Sequence, residues 1–145
     1  MAGKFLIDVT DVRFKIAAND DVMRFIRVVN PFAHTDVGIP LLELCKELPS
    51  ATAYCPSYKS CAYVVLHTAA DRIFAIAYGQ RGLAFRVPPA MRAEALVEGG
   101  APEARIGADW VSFAPYDGAG QSGARERLRR WCGVAFAGAE AAGPS

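Results

Sequence analysis

Long hydrophobic runs are missing from this sequence of 145 residues. No stretch approaches the ~18–20 apolar residues of a membrane-spanning helix. Charge interrupts the apolar N-terminal run MAGKFLIDVTDVRFK, unlike a secretory signal peptide. A cytoplasmic protein without a membrane partner is the expectation. Net charge is missing as well. Sixteen Lys and Arg against fifteen Asp and Glu leave +1, so no global field recruits nucleic acid.

Histidine is scarce, with only His34 and His67, and so is any metal-like cysteine spacing. Zinc sites bring four ligands together from paired short spacings. The nearest cysteines here, Cys55 and Cys61, have five residues between them, while Cys45 and Cys132 stand apart. Reduced thiols that fill space as small hydrophobes are the simpler reading. Nucleophilic catalysis needs a Cys or Ser beside an oriented His, and Cys55 with His67 is the nearest such pair. His67 closes the run Cys-Ala-Tyr-Val-Val-Leu-His, which reads as a strand-end imidazole, since no nucleophile elbow accompanies it. The sequence thus implies no catalytic set, no metal and no cofactor.

What is present is the composition of an ordinary globular domain, 52% hydrophobic and 21% charged, long enough for one core without disulfides. Alternation of Phe5, Ile7 and Val9, then of Val12, Phe14 and Ile16, predicts one strand or a short pair. Asn19 reads as the cap of a helix carrying Val22, Phe25, Ile26 and Val29, stopped at Asn30-Pro31. Residues 32–38 read as a connection, and Pro40 as the first turn of a second helix with Leu41, Leu44, Cys45 and Leu48 inward.

The aperiodic stretch 50–60 predicts a surface loop. Strands are predicted at 61–67, 73–78 and 83–87, a meander whose second turn is Gly79-Gln80-Arg81-Gly82. Pro88-Pro89 opens a helix to about Glu98 with Ala90, Ala93, Leu96 and Val97 inward, ended by Gly99-Gly100. A later hairpin follows at 104–106 and 110–114. The last helix puts Ala124, Leu128, Trp131, Cys132 and Ala135 on its apolar arc, and Trp110 and Trp131 are expected to share the space between the sheet and this helix. Gly118, Gly120 and Gly123 match G-x-G-x-x-G, but no parallel strand enters the loop and no second strand follows its helix, so a plain connection is predicted.

RIFAIA (72–77), LAFRVPPAMRAEAL (83–96), WVSF (110–113) and the closing helix with Leu128 and Trp131 occur in one order. On these residues the stretch 41–137 resembles the MmcQ/YjbR-like proteins, akin to the N-terminal domain of TfoX. A similar layout occurs in the small domains named after luciferase. The resemblance implies a frataxin-like α+β fold, an antiparallel sheet with helices packed on one face, and it carries the DNA-binding label often given to that family. The expected organisation is a strand-and-helix extension at 1–39, where the family usually begins with a helix, a YjbR-like domain at 40–137, and a flexible tail at 138–145.

The leading functional expectation is a non-enzymatic binding or accessory domain for a small ligand or a protein partner, its rim formed by Tyr54, Tyr58 and Lys59 on the 50–60 loop. The alternative is a DNA-binding protein that uses Arg125, Arg127, Arg129 and Arg130 of the last helix with Arg81 and Arg86 of the hairpin. An enzyme of undefined chemistry is the third reading.

Overall fold

The computed structural model describes residues 14–56, 63–115 and 121–142. The predicted strand at 5–9, Tyr58, Lys59, Cys61 and the glycines at 118 and 120 lie outside the described residues. The class is α+β: among the described residues, four helices and one open, antiparallel six-stranded sheet form a single compact domain.

The first helix, α1 (Asp20–Val29), buries Val22, Met23, Phe25 and Ile26 and holds Asp20 and Asp21 in its first turn, where the helix dipole favours acids. Asn30, in the left-handed region at φ 49°, closes it as expected. Asn19 does not cap the helix with its side chain. Its buried amide donates to the carbonyls of Phe14 (3.1 Å) and Asp71 (2.9 Å) and accepts from the Ile73 N–H (2.9 Å), fastening the helix start to the sheet. The strand expected through Ile16 is also absent at 14–16, where the Ile16 N–H turns back onto the Phe14 carbonyl.

The second helix, α2 (Thr35–Lys46), begins five residues before Pro40, so 35–38 is helix rather than connection. His34 explains the difference: its Nδ1 accepts the Asp36 N–H at 3.1 Å and supplies the cap that Pro40 was expected to mark. Pro40 therefore sits in the helix interior and has no N–H to offer the Asp36 carbonyl.

The strands β1 (Thr52–Tyr54), β2 (Val64–His67), β3 (Ile73–Tyr78), β4 (Gly82–Arg86), β5 (Ala101–Pro102) and β6 (Trp110–Ser112) lie in the order β1-β2-β3-β4-β6-β5. The meander is as predicted, and its β3–β4 turn uses Gly79 at φ 64°. Two predictions fail locally. The 50–60 stretch contributes the edge strand β1, paired with β2, because Ala53 packs against the core. Residues 104–106 form a turn, with the Ile106 and Gly107 N–H groups both on the Glu103 carbonyl, so β6 pairs with 101–102 instead.

Strand alternation divides the core between two faces. Val64, Leu66, Ala75, Ala77, Leu83, Phe85 and Val111 point to one cluster, and Val65, Ile76, Tyr78, Ala84 and Trp110 to another. A bulge between β2 and β3 leaves Phe74 opposite no partner and turns it into the first cluster beside Ala75. The first face is covered by α2, by α3 (Arg92–Val97) through Ala95, and by α4 (Gln121–Ala142) through Ala124, Leu128, Trp131, Cys132 and Ala135. The second is covered by α1, so the N-terminal helix adds a layer that the one-face arrangement did not include.

Two expected core contacts change with this division. Trp110 and Trp131 are both fully buried, but on opposite faces of the sheet, because Trp110 alternates away from Val111. On α3 only Ala95 is buried; Ala90, Ala93 and Val97 are exposed and Leu96 is half-buried. A 3₁₀ turn at Pro89–Met91 precedes this short helix and changes its phase relative to a regular helix begun at Pro88. At the other end, α4 continues past Ala137 to Ala142, held by the buried Ala139.

Candidate functional site

The cationic side chains singled out in the sequence have very different surroundings. Arg86 ends β4 opposite Trp110 and turns onto the second face. It makes four hydrogen bonds: Nε to the Ile73 carbonyl (3.3 Å), Nη2 to the Ala18 carbonyl (2.8 Å), and Nη1 and Nη2 to the two carboxylate oxygens of Asp21 (3.0 and 2.9 Å). Its guanidinium also lies 4.8 Å from the Trp110 ring centre, and its side chain is 12% exposed. That geometry is a clamp between α1 and the sheet.

On α4, Arg129 bonds Glu47, the residue that follows α2 (Nε–Oε1 2.8 Å), and Glu126 (2.5 Å). Arg130 bonds Glu94 of α3 and Glu98 just after it and lies over the Trp131 ring, whose Nε1 donates to Glu98 at 2.9 Å. Arg127 lies beside Gly99. Arg125 is exposed and makes no hydrogen bond or ion pair among the described residues. Arg81, exposed on the β3–β4 turn, likewise makes none. Tyr54 is half-buried on β1, its ring edge-on to Phe14 at 5.1 Å, which places it in the sheet rather than on a loop rim.

The structure brings Arg125 and Arg129 together across a groove between α2 and α4 of about 420 Å³. Its floor and sides carry Ile39, Pro40, Leu44, Pro115 and Leu128. Charges of opposite sign face each other: Asp36, Glu43 and Glu47 stand on the α2 wall and the two arginines on the α4 wall. The hydrogen bond from Arg129 holds the Glu47 carboxyl below its usual pKa and joins the walls at that end. Arg125 lines the same groove as Asp36 and Glu43, forms no ion pair among the described residues and acts electrostatically on Glu47, and the Asp36 carbonyl lacks the donor that a residue other than Pro40 would supply. Sequence reasoning missed the α2 wall because it began that helix at Pro40. The signal was present as the 36, 39, 43 spacing of one helical face.

A second concavity, of about 500 Å³, lies at the β3–β4 turn among Val29, Pro31, Phe32, Gly79, Gln80, Arg81, Glu103 and Arg105. At its base the Tyr78 hydroxyl donates to Glu103 Oε2, and Arg105 reaches both Glu103 oxygens (3.0 and 2.9 Å). Burial, reinforced by the Glu103 carboxylate, raises the Tyr78 pKa, whereas the Arg105 hydrogen bond lowers that of Glu103. Every group in this cluster is paired within the protein.

Among the described residues, no three His, Cys, Asp or Glu side chains converge as a metal set, and no helix is long and apolar enough to cross a membrane. Cys45, Cys55 and Cys132 are not joined in disulfides. No family model, curated protein or solved structure matches the chain.

Proposed function

We propose that this protein is a non-catalytic binding domain whose site is the α2–α4 groove, and that it takes a small molecule with an apolar body and charges of both signs. An apolar amino acid or short peptide has that chemistry. The observation that carries the reading is one groove that holds Arg125, which forms no ion pair among the described residues, together with Asp36 and Glu43 over an apolar floor. A guanidinium on one wall recognises a carboxylate. Carboxylates with a carbonyl free of its helical donor on the other wall recognise an ammonium, and Ile39, Leu44 and Leu128 accept the body between them. The groove is of the size that small-molecule sites have, roughly 300–1,000 Å³. A YjbR-like kinship belongs to this reading as a proposal, supported by the Pro-initiated turn after β4 and by the placement of Leu128 and Trp131 in the core.

The nucleic-acid alternative draws less support, because Arg86, Arg129 and Arg130 are already paired with carboxylates and phosphate affinity rests on available cations. The test is an amide NMR titration with leucine, phenylalanine and their dipeptides, alongside N-acetyl and C-amide forms that each remove one charge. Zwitterions should shift the amides of Ile39, Glu43, Arg125 and Leu128, and the blocked forms should bind more weakly. Absence of any shift at these amides with ligand at several times 1 mM, a Kd worth only about 4 kcal/mol, would refute the proposal.

A further inference from the structure

The imidazole of His34 stands at the head of the groove's acidic wall, within reach of two groups of one residue. Its Nδ1 accepts the Asp36 N–H at 3.1 Å, which caps α2, and the same Nδ1 lies 3.5 Å from Asp36 Oδ2. An accepting Nδ1 holds no proton, so the capped helix requires the neutral ring with its proton on Nε2. The backbone around the ring is fixed from both sides. The His34 N–H donates to the Gly79 carbonyl at 2.8 Å, and the His34 carbonyl accepts from the Val37 and Gly38 N–H groups at 3.0 and 2.9 Å. A change of protonation therefore falls on the ring and on Asp36. Their side chains are 44% and 57% exposed, so protons reach them without any opening of the fold.

We infer that His34 is a proton-operated switch for the α2–α4 groove: on taking up a proton, its Nδ1 releases the Asp36 N–H and donates instead to the Asp36 carboxylate. The inference rests on that groove being the binding site. Imidazole is the side chain whose charge changes between about pH 5 and 8. Protonation turns Nδ1 from acceptor to donor, so the N–H loses its cap and the carboxylate gains a cationic partner. Among the described residues, Asp36 is the acid within ion-pair distance of the ring. Glu43 and Glu47 follow along the same wall, and Arg125 and Arg129 line the groove from α4. On the β3–β4 turn that holds the His34 backbone, the charged side chain is Arg81. An Asp36 carboxylate engaged by imidazolium is withdrawn from a ligand's ammonium group. A zwitterion therefore binds the neutral form more tightly, and its affinity falls as pH falls. By linkage, a ligand in the groove opposes protonation of His34.

The test follows the His34 ring and the Asp36 amide by NMR from about pH 8 to about 5.5, first without ligand. The expected result is one shared midpoint for both, with Nε2 protonated and Nδ1 bare at the alkaline end. His34→Asn keeps a cap acceptor that does not titrate, so its Asp36 amide should hold its position over the same range. His67 remains in both proteins, so the comparison isolates His34, and circular dichroism checks that the fold is kept. An Asp36 amide that ignores the His34 titration, or that moves equally in His34→Asn, would overturn the switch. The second arm titrates leucine at the two ends of the range. Wild-type affinity should fall about fivefold at the acid end, the equivalent of 1 kcal/mol, while His34→Asn should bind equally at both. Wild-type affinity that is the same at both ends would overturn the coupling of cap to groove. Absence of leucine binding at either end, with the Asp36 amide still following His34, would refute the groove reading and leave the cap titration standing.

Discussion

Arg86 and Asp21, 65 residues apart, form a two-pronged ion pair that carries the Trp110 indole N–H on the same carboxylate, at 3.0 Å from Oδ2. The pair joins the first turn of α1 to β4 and β6, and its Arg side chain is largely enclosed. Removing one member leaves the other charge buried without its partner, which costs more than the pair itself contributes.

Asp21→Ala should accordingly destabilise the fold by about 3 kcal/mol, the lower end of the range for broken buried pairs because Asp21 keeps some solvent contact. The double variant Asp21→Ala/Arg86→Met should recover part of that loss. Urea unfolding of the two proteins checks both statements. A double variant less stable than Asp21→Ala alone would show that Arg86 acts mainly through its bonds to the Ile73 and Ala18 carbonyls.

That clamp also marks the boundary of what the sequence reveals. Periodicity identified α1, the meander and the apolar arc of α4, because those patterns are local and each residue contributes its own burial. It missed the Asp21–Arg86 pair, which assigns Arg86 to the core rather than to a phosphate, because long-range pairs leave no periodic trace. It misplaced the start of α2 because the imidazole of His34 caps the helix in a role more usual for Ser, Thr, Asp or Asn. The turn at 104–106 was misread as strand for a similar reason: the Glu103 carbonyl and side chain bind the next residues locally, through Ile106, Gly107 and Arg105. Of the candidate sites, Arg125 and Arg129 were visible as charges, but their acidic counterparts on α2 became neighbours only through tertiary packing.

The Tyr78–Glu103–Arg105 cluster predicts stability losses at both ends of the pH scale. Glu103 has a lowered pKa in the fold, so the unfolded chain binds its proton first and stability falls as pH drops below the ordinary carboxylate range, about 4.3. Tyr78 has a raised pKa, so the unfolded chain releases its proton first and stability falls as pH rises above about 10. Glu103→Gln should flatten the acid limb and Tyr78→Phe the alkaline limb in pH-dependent urea midpoints. An acid limb of unchanged slope in Glu103→Gln would assign acid sensitivity to another carboxylate.

Cys132 lies 1% exposed between α4 and the sheet, and burial pushes its thiol pKa up to about 12. The thiolate is the reactive form, so native protein at neutral pH should leave Cys132 unmodified by iodoacetamide, and denatured protein should alkylate it. Peptide mapping after each treatment reads the difference. Native labelling at Cys132 as fast as in denaturant would mean that the packing of α4 on the sheet opens readily.

The arginines of α4 give the measurement with most bearing on function. A phosphate-binding face releases counterions, and log affinity then falls against log salt with a slope of about 0.9 per contact. Four available arginines would give a steep dependence. Here Arg129 and Arg130 already bond Glu47, Glu126, Glu94 and Glu98, so a bound phosphate must displace carboxylates and loses most of the gain. Duplex DNA should bind with a Kd of about 10⁻⁴ M or weaker at physiological salt, the non-specific level. Replacing Arg125, Arg127, Arg129 and Arg130 by glutamine should leave that value nearly unchanged. The same variant should lower stability only modestly, since exposed ion pairs are screened by solvent and contribute little. Sub-micromolar duplex binding lost on this substitution would instead make α4 a nucleic-acid surface, with its carboxylate pairs acting as a latch that DNA opens.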